Sequence, residues 1–224
     1  MKLLVKFPTR NRPQRFLDVL SQYVESSEDK ENIHYLISID HDDPKMTDEV
    51  CKEAASIVGK NITIIRDSSA GKIHACNRDM DKAPDEWDVV ILASDDMLPR
   101  AQGWDNVIRG EFEKYFPDTD GCLWFYDGHQ SRICTMSIIG HKYYDRFGYL
   151  YHPDYISLWC DNEFTDIAVD MGKMGLYDKM LFFHDHHIWT RQADKNDALY
   201  KKNDAYFDQD KRTYMRRKAA GFPK

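Results

Sequence analysis

The strongest chemical signal in this chain is Ser94-Asp95-Asp96, which directly follows the apolar run Val89–Ala93. Two adjacent carboxylates at the end of a buried strand repel each other and lose hydration unless positive charge sits beside them. Asp95 and Asp96 are hard oxygen ligands, suited to Mg2+ or Mn2+ held together with substrate phosphates. The same three residues also suit a turn or a helix N-cap, so the pair alone does not decide. A second signal is His184-Asp185-His186-His187, which follows the short apolar run Met180–Phe183. Imidazole favours Mn2+, Fe2+ or Zn2+ over Mg2+. Alternate residues of an extended chain share a face, so His184 and His186 point the same way.

Asp161, Glu163 and Asp166 open a predicted helix. Acidic residues in a first turn complement the helix dipole. They also supply a candidate general base, and Trp159 and Cys160 just before them give an apolar setting that would raise a carboxylate pKa. Lys72, His74, Asn77 and Arg78 lie on another predicted helix, with Lys72 placed to face a diphosphate or simply solvent. Ser68–Lys72 is not a phosphate-binding P-loop, because the GxxxxGK[ST] spacing is missing. Trp124, Tyr126, Tyr151, Tyr155 and Trp159 read either as aromatic core or as a stacking surface.

The elements that must position these groups are legible from periodicity. Leu3–Phe7, Tyr35–Ile39, Ile62–Ile65 and the run before Asp95 read as strands. Phe16, Leu17, Val19, Leu20 and Tyr23 mark one helix between them. Val50, Ala54, Ile57 and Val58 mark a second, closed by Gly59, and Lys72–Met80 reads as a third. This alternation implies βαβ units and a mostly parallel sheet. Each of the four strands ends in a polar cluster: Pro8-Thr9-Arg10-Asn11-Arg12, Asp40-His41-Asp42-Asp43, Arg66-Asp67-Ser68 and Ser94-Asp95-Asp96. Parallel strands bring those ends to one rim, where open α/β sheets bind ligands.

Beyond residue 100 the alternation breaks. Trp104–Phe116 reads as an amphipathic helix, Cys122–Tyr126 and Ile133–Ile139 as strands, and Tyr143–Tyr155 as an aromatic, loop-rich stretch suited to a lid. Asp161–Met174 reads as a helix and Met180–Phe183 as a last strand. The polar tail from Asp194 is either a surface helix or partly disordered. One domain, residues 1–193, with a tail over 194–224 is the expected organisation.

The chain has 224 residues, 42% hydrophobic and 31% charged, and a net charge of -7. That supports a proper core and argues against stable nucleic-acid binding, which rests on basic surface. Five widely spaced cysteines with no CxxC read as reduced thiols. No run approaches the ~20 apolar residues of a membrane span, so a cytoplasmic protein is expected.

Together these segments resemble the GT-A glycosyltransferases, particularly family 2-like members, over roughly residues 2–190. The opening LLVKFPTRNRP is similar to the family's first strand and nucleotide loop. Asp40 resembles the base-binding carboxylate, and SSAGKIHACNRDMDKA the stretch along the nucleotide. ILASDDML resembles the metal-binding DxD region, with Ala93 where an acid commonly stands. FFHDHHIW is similar to the late metal-ligand histidine, and WCDNEFTDIA to the acidic motif of inverting members.

The resemblance implies a GT-A-type (Rossmann-like) α/β fold, with a mostly parallel central sheet flanked by helices in a single domain. It implies a hexosyltransferase-like enzyme that moves a sugar, by default from a UDP-sugar, to a glycan or other hydroxyl acceptor with inversion. Pro8, Thr9, Arg10, Arg12, Asp40, Lys72, Asn77, Ser94 and Asp95 would hold the donor. Asp95, Asp96, His184 and His186 would hold Mn2+ or Mg2+. Asp161 would be the base, with Glu163 as its substitute. The rivals are a metal-dependent hydrolase, a nucleotidyltransferase, and an inactive protein that only binds the nucleotide sugar.

Overall fold

The computed structural model describes residues 1–186 and 198–222. Four strands, β1 (Leu3–Thr9), β2 (Ile33–Asp40), β3 (Ile62–Asp67) and β4 (Val89–Leu92), alternate with helices α1 (Pro13–Glu25), α2 (Asp48–Val58) and α3 (Lys72–Asn77). A short strand β5 (Met97–Pro99) and helix α4 (Trp104–Tyr115) come next. Then follow β6 (Cys122–Phe125), β7 (Ile138–Gly140), α5 (His141–Phe147), α6 (Cys160–Asp170), β8 (Met174–Tyr177) and β9 (Phe182–His184). Two helices of the tail, α7 (Ala198–Asp204) and α8 (Phe207–Ala219), complete the described chain.

Seven strands form one sheet in the order β3-β2-β1-β4-β7-β6-β8, and β5 pairs with β9 in a separate two-stranded sheet. Only β7 runs against its neighbours in the large sheet. The carboxyl ends of β1, β2, β3, β4 and β6 therefore share one rim, as the polar strand ends predict.

Both sheet faces are covered, so the central strands are buried on both sides. Leu3, Val5 and Phe7 of β1 pack toward α1, α2 and α4, and Trp104 of α4 is fully buried there. Leu4, Leu36 and Val90 face the other way, against Ile73, Tyr143, Phe164 and Tyr214. Phe16, Leu17, Val19, Leu20 and Tyr23 are the buried residues of α1, matching their helical spacing. Gly59 closes α2 at φ 85°, a left-handed conformation open to glycine without strain.

Several expected elements differ. The helix from Lys72 stops at Asn77, because Arg78 turns extended to donate to the Ile39 carbonyl at 2.8 Å. Asp79 then takes a positive φ and meets Ser38 and Arg78. Of the expected Ile133–Ile139 strand only Ile138 and Ile139 are in a strand, which runs on to Gly140. The Asp161–Met174 helix ends at Asp170, and Met174 instead opens β8 beside β6. The Tyr143–Tyr155 stretch begins inside a helix, α5. Its aromatics Tyr143, Tyr151 and Tyr155 belong to the core, which argues against a lid. The five cysteines are unpaired thiols, four of them buried. No described helix is long and apolar enough to cross a membrane.

Candidate functional site

The rim gathers most of the residues singled out above. At the end of β1, Arg10 donates to Asp40 at 2.6 Å and pairs with Asp42. Asn11 adopts φ 65°, and its backbone N–H reaches the Asp43 carboxylate. Pro8 lies two residues past Lys6, whose carbonyl accepts from Ala93 of the neighbouring strand. The missing N–H of Pro8 therefore faces the side where β4 has already ended, and no ladder bond is lost. The Thr9 hydroxyl is buried, and among the described residues it has no hydrogen-bond partner. Such a group costs stability unless something satisfies it, so it is a natural contact for a ligand.

The two carboxylates after β4 divide their partners. Asp95 accepts from Arg12 at 3.0 Å, and its carbonyl accepts from Arg15 at 2.7 Å. Asp96 accepts from Ser94 and from the Tyr200 hydroxyl at 2.9 Å. Ser94 thus orients Asp96. Burial and the neighbouring Asp96 push Asp95 up to about 6. Asp96 falls well below the ordinary carboxylate range, because His184, Lys72 and Ser94 outweigh its burial.

His184 reaches this place through the small sheet. β5 follows Asp96 directly and pairs with β9, placing Met97 opposite His184, and the Asp185 N–H donates to the Asp96 carbonyl at 2.7 Å. The His184 Nε2 lies 3.8 Å from Asp96 Oδ2, and its Nδ1 lies 3.3 Å from Asp127 Oδ2. Asp127 sits just past the end of β6 and is held by the N–H groups of His129 and Gln130 and by the Thr135 hydroxyl. These donors and His184 lower Asp127 to about 2 despite its burial. Burial opposes the charge on His184, but Asp127 and Asp96 raise it to about 9.

Asp127 was not singled out in the sequence. An aspartate after an apolar strand on the same rim is the same signal that marked the other four strand ends. The arrangement carboxylate–imidazole–gap–carboxylate suits a divalent cation. The gap is too long for a hydrogen bond and fits two ligands of one ion, while Asp127 fixes the imidazole from behind as outer carboxylates do. No described cluster of three or more such groups surrounds one point. The His186 ring packs on Tyr200 at 4.4 Å. His187 lies outside the described residues.

Lys72, at the start of α3, connects the acid rim to α6. The residue is exposed to solvent. Desolvation around its ammonium opposes the charge, but Asp96 and Asp161 are among the groups that outweigh it and raise its pKa. Asp161 is half-buried, and burial raises its pKa against the pull of Lys72 and Asn162. Its Oδ1 accepts from both nitrogens of Asn162 at 2.9 and 3.0 Å, and no described group donates to Oδ2.

Two expected site residues serve elsewhere. Asn77 is fully engaged with backbone: its amide donates to the Tyr151 carbonyl at 2.6 Å, and its carbonyl oxygen accepts from Leu150 and Tyr151. Glu163 is buried and accepts from Tyr155 at 2.7 Å and from Arg217 of α8 at 2.8 Å. Both oxygens of the Glu163 carboxylate are therefore engaged within the core.

No protein-family model and no curated protein sequence matches the chain. Solved structures do. A mannosyltransferase from Pyrobaculum calidifontis, in complex with GDP-mannose and Mn2+, superposes with a TM-score of 0.62 at 13% identity, over 80% of this chain and 55% of that one. TarS residues 1–349 of S. aureus, in complex with UDP-GlcNAc, gives 0.64 at 13% identity, over 82% and 58%. The same protein with UDP gives 0.64 at 14% identity, over 82% and 60%. This chain thus spans little more than half the length of the structures it resembles. At these identities the likeness establishes the fold, which is of the GT-A type.

Proposed function

We propose that this chain transfers a sugar from a nucleoside diphosphate sugar to an acceptor hydroxyl, with a divalent cation at Asp96 and His184 and with Asp161 as general base. The observation that carries this reading is the line Asp127–His184–Asp96 on the carboxyl rim of a GT-A sheet, with Asp161 across Lys72 from it. Neighbours of the same fold bound to GDP-mannose with Mn2+ and to UDP-GlcNAc support a nucleotide sugar as donor.

Each role follows from a group's chemistry. Arg10, Asp40, Pro8 and the unsatisfied Thr9 hydroxyl line the nucleotide end. Arg12, Arg15 and Lys72 bring positive charge to the diphosphate. A bound divalent cation supplies Lewis-acid stabilisation of charge developing on the leaving phosphate. His184 as a ligand favours Mn2+ over Mg2+. Asp161 takes the acceptor proton through its free Oδ2, while Asn162 holds Oδ1, and the acceptor oxygen attacks the anomeric carbon from the face opposite the diphosphate. This inverts the configuration. The acceptor is a glycan or another hydroxyl compound. Five unpaired thiols fit a reducing compartment such as the cytoplasm.

Thermal shift against UDP, GDP, CDP and ADP, each with and without Mn2+, tests the reading. A ligand at about 100 times its Kd adds about 2.7 kcal/mol, or roughly 5–10 °C for a domain of this size. A rise with one nucleotide class that requires Mn2+ is expected. A rise with Mn2+ or Zn2+ alone and none with any nucleotide would overturn it in favour of a metal-dependent hydrolase.

A further inference from the structure

The tail helix α8 is bound to the main body by groups that surface polarity does not explain. Asp210 is fully buried, and among the described residues no cation pairs with it. Its carboxylate accepts from three consecutive backbone N–H groups, those of Ile156 at 3.1 Å and of Ser157 and Leu158 at 2.8 Å. Successive amides converging on one anion form a strong, oriented site, here filled by the chain's own side chain.

The loop so held leads straight into the candidate base. Trp159 follows at φ 64° and ψ -7°, then Cys160 opens α6, then comes Asp161. A left-handed tryptophan is strained and persists only where its surroundings over-determine it. Here the indole packs against Phe207 and Tyr214 of α8, with ring centroids 5.5 and 5.4 Å away, and its N–H is buried without a partner. The other side of the loop touches the start of α3: the Ile156 carbonyl accepts from Ile73 N at 3.1 Å, next to Lys72. A Cβ on Gly71 would come 3.0 Å from Ile156, so the two segments are in close contact. Four residues on, Arg217 of α8 grips Glu163, two residues past Asp161.

We propose that α8 is a working part of the transfer site, with Asp210 a positioning residue that holds the 156–159 loop and so fixes the first turn of α6, where Asp161 lies. This rests on the reading of Asp161 as base. The alternative is that Asp210 only fastens the tail. Asp210→Asn separates the two. An asparagine can accept from Ser157 and Leu158 through its oxygen, but its amide then opposes the Ile156 N–H. The loop is loosened while the shape is kept. Asp210→Glu keeps the charge and shifts it by one methylene, and serves if the asparagine variant does not fold.

Two measurements decide. Release of nucleoside diphosphate from saturating donor, with water as acceptor, should slow at least about tenfold, while donor Kd stays within about twofold, since a displacement near 1 Å costs up to about 10²-fold. Carboxyl 13C titration of Asp161, assigned by its absence in Asp161→Asn, should move from its raised position toward the ordinary carboxylate range. Turnover and Asp161 titration both unchanged in the folded variants would overturn the proposal. Wild-type turnover by Asp161→Asn would instead overturn the base reading, while the Asp161 titration in the Asp210 variants would still decide whether Asp210 positions it.

Discussion

Asp161→Asn removes the proposed base with little change of shape. Asn162 already donates to Oδ1, so an asparagine oxygen can keep that contact, and the amide then occupies the position of the free Oδ2. The half-buried carboxylate is disfavoured as an anion, since burial outweighs Lys72, and its pKa is raised. A base tuned toward neutrality contributes about 10²–10⁴-fold. The expected loss in kcat is therefore about 10²–10⁴-fold. Donor affinity should hold within about twofold, because the proposed donor contacts lie at Arg10, Arg12 and Lys72 and, through the cation, Asp96. The assay is nucleoside diphosphate release against donor concentration, with donor Kd from calorimetry. In the wild type, kcat should fall as pH drops through the raised Asp161 pKa, since protonation removes the base. That limb should lie above the ordinary carboxylate range and vanish in the variant. Unchanged kcat, or loss of donor binding in proportion to kcat, would refute the assignment.

In metal-free protein, His184 makes stability depend on pH. Its pKa is raised to about 9, so its contribution is complete below its ordinary value near 6.5 and is lost as pH rises through 9. Urea unfolding should show stability falling by about 1 kcal/mol between pH 7 and 8, and His184→Ala should remove the fall. Above pH 8 the fall should flatten, because buried Lys6, lowered to about 8, contributes in the opposite direction. Arg217→Ala should cost about 3–5 kcal/mol by leaving Glu163 buried and unpaired, and the double variant Glu163→Gln, Arg217→Met should lose much less than the sum of its parts. Gly140→Ala would put a Cβ 2.0 Å from the Thr119 carbonyl oxygen, so denaturation should show a loss of roughly 3 kcal/mol or a failure to accumulate.

The first hundred residues announce themselves because each strand is a short apolar run punctuated by polar residues, a pattern set by local periodicity. The rim and its acids follow from that pattern once the strands are taken as parallel. The later half is less readable for physical reasons. Strand β8 is edge sequence with glycine and an exposed leucine, and only pairing with β6 makes it a strand. Lys6 interrupts the apolar run LLVKF with a charge. It is fully buried because Ser38 and Asp79, far along the chain, receive it. Asn77 has the amide of a ligand-binding residue, yet its partners are backbone groups of residues 150 and 151. Asp210 and Arg217 lie in a strongly polar helix, where no spacing separates a buried charge from a hydrated one. Their role exists only through contacts more than 50 residues away in sequence.

The central claim is that the bond broken lies between the anomeric carbon and the diphosphate. The most direct measurement is 31P NMR of the products when the protein is incubated with UDP- and GDP-sugars and Mn2+. Release of an intact nucleoside diphosphate from one donor class, dependent on Mn2+, is the predicted result. Appearance of a nucleoside monophosphate with a sugar phosphate would show cleavage within the diphosphate and contradict sugar transfer.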